Sequence, residues 1–270
     1  DSIKLSYMSN KTIQRTESLL RQLSDGKFHS GETIAENLGI SRTAVWKLIK
    51  KIESWQVKIY SVRGRGYQIP GGLDLIDQQQ LVDGLDNNLF IERVTVLTSV
   101  DSTADYLVKD WKQRPGYGRV CISEHQTAGR GRKGRPWISP FGANLYFSVG
   151  LQLPLGLSAL GGLSLAVGIS LCRSLNKFSG TQIQIKWPND LLVNNKKLAG
   201  ILVEASGDNN DTSFLNIGVG INWDMQIDQA DKVDQPWINL RSIISDKNNS
   251  RNEILVKVLN DLDSALAEYL

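Results

Sequence analysis

Ser123-Glu-His-Gln-Thr-Ala-Gly-Arg-Gly-Arg-Lys-Gly-Arg-Pro-Trp-Ile-Ser-Pro140 is the stretch on which the reading of the fold turns. Residues 129–134 satisfy G-x-G-x-x-G and also start like a phosphate-binding loop, with glycines at both ends of a six-residue span. A dinucleotide fingerprint has to open a helix inside a βαβ unit, and Pro136 and Pro140 forbid a regular helix here. A Walker loop needs Lys and then Ser or Thr after its last glycine, where this chain has Arg135 and Pro136. Both glycine motifs therefore fail on the residues that follow them.

Taken alone, a Gly-Arg loop has three readings: a solvated surface turn, an RNA-binding patch, or a mobile flap over an anionic ligand. An apolar strand precedes it, and Pro140-Phe-Gly-Ala-Asn-Leu-Tyr-Phe-Ser148 leads into another. A loop between two core strands is well placed to line a site. The chemistry that fits is attack by a carboxylate on the α-phosphate of ATP, in which two anions must be brought together. Arginines neutralise that repulsion, and glycines let backbone N–H groups approach the ligand and let the loop close over a hydrolysable mixed anhydride.

Downstream, Ile183-Gln-Ile-Lys-Trp-Pro-Asn-Asp190 alternates into Lys186 and is then broken by Trp187-Pro188. Lys186 is thus expected at a strand end, held rigidly enough to contact both an incoming carboxylate and the α-phosphate, with Asn189 and Asp190 ordering nucleotide, metal or backbone nearby. The plain alternative is an ordinary strand-end lysine. Asn194-Asn195 predicts a turn, and Lys197-Leu-Ala-Gly-Ile-Leu-Val-Glu204 the second arm of a hairpin. A further strand over residues 214–222 contains Gly218 and Gly220, where a ligand or another backbone is expected to approach.

Upstream lies a different kind of pattern. Over residues 30–38, Ile34, Ala35 and Leu38 share a helical face, Ser30 can cap the start and Gly39 the end. Ser41 caps a second helix whose Val45, Leu48, Ile49 and Ile52 point inward, leaving Arg42, Thr43, Trp46, Lys47 and Lys50 outward. This is a helix-turn-helix pattern, with a helical hairpin of no DNA-binding role as the bland alternative. The second helix would lie in the major groove, with its lysines on phosphates. Residues 57–62 and 67–69 read as strands around a turn carrying Arg63 and Arg65, which makes the module winged. A helix over residues 12–23, with Ile13, Leu20 and Leu23 on one face, completes its core, and Pro70-Gly-Gly72 reads as a linker.

Composition agrees with two domains. The chain has 270 residues, 41% of them hydrophobic, and only Cys121 and Cys172, far apart and without metal-ligand spacing, as in a reduced intracellular protein. Residues 1–70 hold 12 Lys/Arg against 6 Asp/Glu, leaving 19 against 22 in the remainder. The head is therefore basic by +6 and the body acidic by −3, so a polyanion partner is expected to meet the head. Residues 1–11 lack the apolar run of a signal peptide. The apolar stretch over residues 151–172 is interrupted by Pro154, Gly156 and several serines, and reads as a core strand and helix rather than a membrane span.

In this order, Asp101-Ser-Thr103, the Gly-Arg loop with its flanks, Lys186-Trp-Pro-Asn-Asp190, Lys197-Leu-Ala-Gly-Ile-Leu-Val-Glu204 and Gly218-Val-Gly-Ile-Asn222 resemble the biotin-protein ligase family. With the winged head, the resemblance extends over nearly the whole chain and points to the bifunctional class that also represses biotin synthesis genes. It implies an α/β (α+β) chain with a winged helix-turn-helix DNA-binding domain over residues 1–70 and a mixed-sheet catalytic domain over residues 71–270. The reaction it implies makes biotinyl-5′-AMP from biotin and Mg-ATP, then transfers biotin to a lysine of the biotin carboxyl carrier protein of acetyl-CoA carboxylase. By resemblance, Ser102, Thr103, Ala104, Gln126, Arg130, Gly131, Arg132 and Lys186 hold biotin or its adenylate, Lys186 and Arg132 are catalytic, and Trp137, Asn189 and Asn222 serve the nucleotide side.

Mg2+ is expected with ATP rather than at a fixed protein site, operator DNA and an adenylate-dependent homodimer are the further partners, and the setting is cytoplasmic with no membrane partner. Ala104 departs from the Asn that often follows Ser-Thr in the family, removing one polar contact near biotin. The chain stops at Leu270 within a helical pattern, where the family usually continues into a small C-terminal β-barrel, so that barrel is expected to be absent here, by truncation or loss. Two alternatives remain at this point: a lipoate or octanoate ligase, and a catalytically impaired, biotin-sensing repressor.

Overall fold

In the computed structural model the residues described are 10–85, 89–113, 118–207, 212–231 and 233–270, so most of the polar start, read above as carrying no signal peptide, lies outside them. Contacts divide the chain into two compact units between Leu75 and Ile76.

In the first unit, α1 (Asn10–Leu23) buries Thr16, Leu19, Leu20 and Leu23. Ile13 shares that side by periodicity but sits in the first turn and is 37% exposed, so it is not part of the core as expected. Helix α2 (Gly31–Leu38) starts where the Ser30 hydroxyl accepts from Thr33 N–H at 3.0 Å and ends at Gly39, whose φ of 59° few side chains tolerate. Helix α3 (Arg42–Ser54) is capped by Ser41, which accepts from Ala44 N–H, and buries Val45, Leu48, Ile49 and Ile52. Strands β1 (Tyr60–Val62) and β2 (Gly66–Gln68) form the antiparallel wing. Two bonds of 2.9 Å between the backbones of Tyr67 and His29 fasten the wing to the segment before α2. Gly66 permits that approach, since a Cβ there would lie 2.0 Å from the His29 carbonyl oxygen.

The second unit runs through α4 (Gln78–Gly84), β3 (Arg93–Leu97), α5 (Thr103–Gln113), β4 (Arg119–Ser123), β5 (Asn144–Leu153), α6 (Leu163–Asn176), β6 (Gln184–Lys186), β7 (Asp190–Val193), β8 (Lys196–Gly207), β9 (Ser213–Asn222), α7 (Leu240–Ile243) and α8 (Arg251–Tyr269). Its seven strands lie in the order β3-β4-β5-β9-β8-β7-β6, with β3 and β4 parallel and every other pair antiparallel. This is a mixed, open sheet, and no strand pairing closes it into a barrel among the described residues.

Alternation along β5 decides what each face meets. Leu145, Phe147, Val149 and Leu151 join the large core with Leu163, Val167 and Leu171 of α6 and Ile254, Val258 and Leu262 of α8. The segment Leu157–Asn176 is apolar and long enough by composition to cross a bilayer, yet here α6 packs against β8 and α8, as a core helix does. The opposite face carries Ser148 and Gly150, and Gly150 leaves room for Leu107 of α5 and for Phe214, itself stacked on Trp111 at 4.6 Å.

Arginine and glutamate meet as a buried pair in this unit. Arg251, at the start of α8, is 0% exposed and donates to Glu124 Oε2 at 2.7 Å and to the Asn144 carbonyl at 2.6 Å. Glu124 Oε1 accepts from Ile76 N–H at 2.6 Å, and Asn252 Oδ1 accepts from Asp77 N–H at 2.8 Å. The first residues of the unit, the end of β4 and the last helix are thereby pinned together by a buried pair whose desolvation is offset by further hydrogen bonds.

Candidate adenylate site and basic helix face

Gln126 follows β4 by three residues, and the segment from there to Ser139 folds back on itself as an irregular hairpin: Gln126 N–H donates to the Ser139 carbonyl at 3.3 Å, Trp137 N–H to Gly129 at 2.8 Å and Gly131 N–H to Arg135 at 2.7 Å. As the prolines imply, no regular helix forms: the 3-10 turn over Arg132–Gly134 is itself broken by Lys133 at φ 56°. At Gly129 a Cβ would fall 2.7 Å from both the Ser139 hydroxyl and the Trp137 carbonyl. Next to Gln126, burial pushes the His125 imidazole down to about 4, and its Nδ1 lies 2.8 Å from the Ser99 hydroxyl, so the ring is neutral at pH 7.

This loop covers a cavity of about 330 Å³. One wall is the start of α5, with Ser102, Thr103 and Ala104; the floor is the polar face of β5 and β9, with Ser148, Gly218 and Gly220. The polar groups at this end are already ordered by one another. Thr103 N–H donates to Gln126 Oε1 at 2.9 Å, Gln126 Nε2 to the Ser139 hydroxyl at 3.0 Å, and the Thr103 and Ser148 hydroxyls are 2.8 Å apart. The mutual bonds fix these polar groups in place before any ligand arrives.

Charge collects elsewhere in the cavity. Lys197, 15% exposed, sits 3.0 Å from Asp190 and 5.4 Å from the centre of the Trp137 ring. The indole lies flat against the strands because Gly220 and Gly200 lack side chains: a Cβ at Gly220 would be 2.4 Å from the ring. The close approach predicted at the strand glycines thus exists at Gly220, and a side chain occupies it rather than a ligand or a backbone. Arg132 donates to the Asn189 carboxamide oxygen at 3.0 Å. The Asn222 amide, 5% exposed, donates to the Lys197 carbonyl at 3.0 Å and so steadies that lysine's backbone. Met225, Val233 and Trp237 supply an apolar wall.

Ser102, Thr103, Ala104, Gln126, Arg130, Gly131, Arg132, Trp137, Asn189 and Asn222 all line this one cavity. Lys186 does not. It ends β6 as expected, but β6 is the outermost strand of the sheet and the side chain is exposed. Lys197, which the sequence reading did not single out, does line the cavity. The signal for it was its place at the head of the Lys-Leu-Ala-Gly strand, where Gly200 pairs with Gly220 across the floor. The wall of Met225, Val233 and Trp237 left no periodic trace in the sequence.

In the first unit Arg42, Thr43, Trp46, Lys47 and Lys50 are all exposed on α3, and Arg63 and Arg65 on the wing. Lys50 pairs with Glu53 at 2.7 Å, and the Arg65 guanidinium lies 4.0 Å from the centre of the Phe28 ring. Among the described residues Lys47 and Arg63 have no ion pair with a carboxylate, which leaves both cations available to a polyanion.

Residues 96–222 match the biotin/lipoate A/B protein ligase family, and residues 15–68 match an HTH domain family. The bifunctional ligase/repressor BirA of Salmonella typhimurium is 40% identical over 259 residues, covering 96% of this chain and 78% of that protein. Its Escherichia coli counterpart is 41% identical over 248 residues, covering 92% and 75%. Among solved structures, the biotin protein ligase from Aquifex aeolicus in complex with biotin and ATP superposes with a TM-score of 0.54 at 32% identity, covering 66% of this chain and 72% of that one.

Proposed function

The chain belongs to the biotin/lipoate A/B protein ligase family in its bifunctional ligase/repressor form, and from that premise we propose how its residues divide the work. It is a biotin-protein ligase that activates biotin with ATP and passes it to a carboxyl carrier protein, and a DNA-binding repressor of biotin synthesis genes. In the first step a biotin carboxylate oxygen bonds to the α-phosphorus of ATP and pyrophosphate leaves. In the second, the carrier lysine amine attacks the acyl carbon, loses a proton and expels AMP.

One observation carries the residue assignment: the ordered Thr103, Gln126 and Ser148 cluster, with Ser102 beside it, and the Lys197 ammonium lie in a single cavity under the Gly-Arg loop. The neutral cluster takes the ureido end of biotin. Lys197, aimed by Asp190 and held on the Trp137 face, and Arg132, held by Asn189, supply positive charge where carboxylate meets α-phosphate. Trp137 and Asn222 shape the nucleotide side. Lys186, at the end of β6 beside Asn189 and Asp190 of the cavity, keeps the catalytic role that the family resemblance gives it, and Lys197 adds a second cation inside the cavity.

Mg2+ enters as the counter-ion of ATP. The basic face of α3 and the wing dock on operator DNA, the adenylate favours a homodimer across two half-sites, and both activities operate in the cytoplasm without a membrane partner.

The test is transfer. Incubated with a biotin carrier domain, Mg-ATP and biotin, the chain should give a carrier that streptavidin detects, and a tenfold excess of lipoate should not compete. An unlabelled carrier at stoichiometric amounts of the chain would sink the ligase assignment, and labelling abolished by lipoate would move it to the lipoate ligases.

A further inference from the structure

The two arginines of the Gly-Arg loop are not equivalent. Arg130 donates through Nη1 to Glu204 Oε1 at 2.5 Å and through Nη2 to Glu204 Oε2 at 2.8 Å, the two-pronged geometry that only a guanidinium offers. The same side chain reaches Asp105 Oδ1 through Nη2 at 2.9 Å and Nε at 3.3 Å. One positive charge is therefore matched by two negative ones, and three of its nitrogens are engaged. Swinging Arg130 onto a phosphate would cost those bonds and leave two carboxylates facing each other. Arg132 is in the opposite condition: among the described residues its side chain meets only the neutral Asn189 carboxamide.

Position explains what such a clamp achieves. Asp105 lies in the first turn of α5, directly after Thr103 and Ala104 of the cavity wall, and Glu204 lies on β8, downstream of Lys197 and Gly200. Arg130 sits between them, adjacent to Gly131 and Arg132. One side chain thus ties together the helix, the strand and the loop that bound the cavity.

We propose that Arg130 is a strut rather than a phosphate ligand, and that Asp105 and Glu204 are positioning residues that fix the Gly-Arg loop so that Arg132 alone of the pair meets the anion. The inference rests on reading the cavity as the biotin adenylate site. Nothing in it requires Asp105 or Glu204 to touch a substrate.

The experiment uses the full chain and its Glu204→Gln and Asp105→Asn/Glu204→Gln forms, with Arg130→Lys as a variant that keeps the charge and loses the fork. Two quantities are read: amide hydrogen exchange of residues 129–136 without ligand, and KM for biotin against kcat of adenylate formation. Loss of the clamp should speed loop exchange about tenfold, the size expected for a half-exposed, two-pronged ion pair. KM for biotin should rise about five- to tenfold, with kcat within about twofold of the parent for Glu204→Gln. Unchanged exchange overturns the strut, whatever the chain does to biotin. Faster exchange with unchanged KM overturns the positioning role, and a fall in kcat with KM unchanged would return Arg130 to the phosphate. A parent chain that forms no adenylate is a failure of the ligase reading, and it is visible before any variant is compared.

Discussion

Lys197 owes its place to several weak constraints acting on one residue. Asn194 and Asn195, at φ 48° and 61°, make the tight turn that returns β8 along β7. The Lys197 N–H then donates to Pro236 at 2.9 Å, and its carbonyl receives Ile238 N–H and the Asn222 amide, both at 3.0 Å. The side chain is left with Asp190 on one side and Trp137 beneath. A lysine so restrained loses little further freedom on meeting an anion, so Lys197→Ala should slow single-turnover adenylate formation by about 100-fold, and Lys186→Ala, which removes the strand-end lysine named by the resemblance, should slow it by at least as much. Rapid-quench measurement of both variants decides the matter: an unchanged rate in either variant removes that lysine from the charge that meets the α-phosphate. The sequence shows both lysines at strand termini and cannot separate them, because facing the cavity depends on which strand is outermost and on register, and those are set by partners distant in the chain. The same limit hid the tenant of Gly220. A strand glycine announces a close approach, but only the folded loop brings the Trp137 indole there.

Elements whose signals are local were legible in advance. Ser30, Gly39 and Ser41 mark the ends of α2 and α3 because a cap satisfies backbone groups within four residues of itself, and the wing is announced by its own turn. The exclusion of a helix after the Gly-Arg loop held for the same reason, since proline acts on its own turn. By contrast, the Glu124–Arg251 pair and the anchoring of Ile76 by Glu124 join elements far apart in sequence, and no local pattern foreshadows them. On α3 and the wing, charge alone does not rank the cations. Lys50 is engaged with Glu53 and Arg65 with Phe28, whereas Lys47 and Arg63 stand ready for phosphate. Lys47→Ala and Arg63→Ala should therefore each lower the slope of log affinity against log salt by about 0.9 on duplex DNA. Anisotropy titrations across a salt series would show it, and a slope that does not move removes the residue from the phosphate contacts.

Over the whole molecule, the charge of the sequence is apportioned as the two activities require. The unit that carries the helix-turn-helix, residues 1–75, holds 12 Lys/Arg against 7 Asp/Glu, and the unit that carries the cavity holds 19 against 21; the cations lining the cavity are those of the loop and Lys197. The strand order β3-β4-β5-β9-β8-β7-β6 was not readable beforehand beyond its hairpins, because β9 inserts between β5 and β8 through a pairing that closes only when the chain has folded over α6. That insertion is what puts Ser148, Gly218 and Gly220 on one floor beneath the loop. The claim that this floor and loop form a biotin adenylate site is tested most directly by titrating the chain with biotin, adding Mg-ATP, and weighing what remains bound by mass spectrometry. The account predicts one biotinyl-5′-AMP held per chain; free biotin and intact ATP after stoichiometric incubation would contradict it.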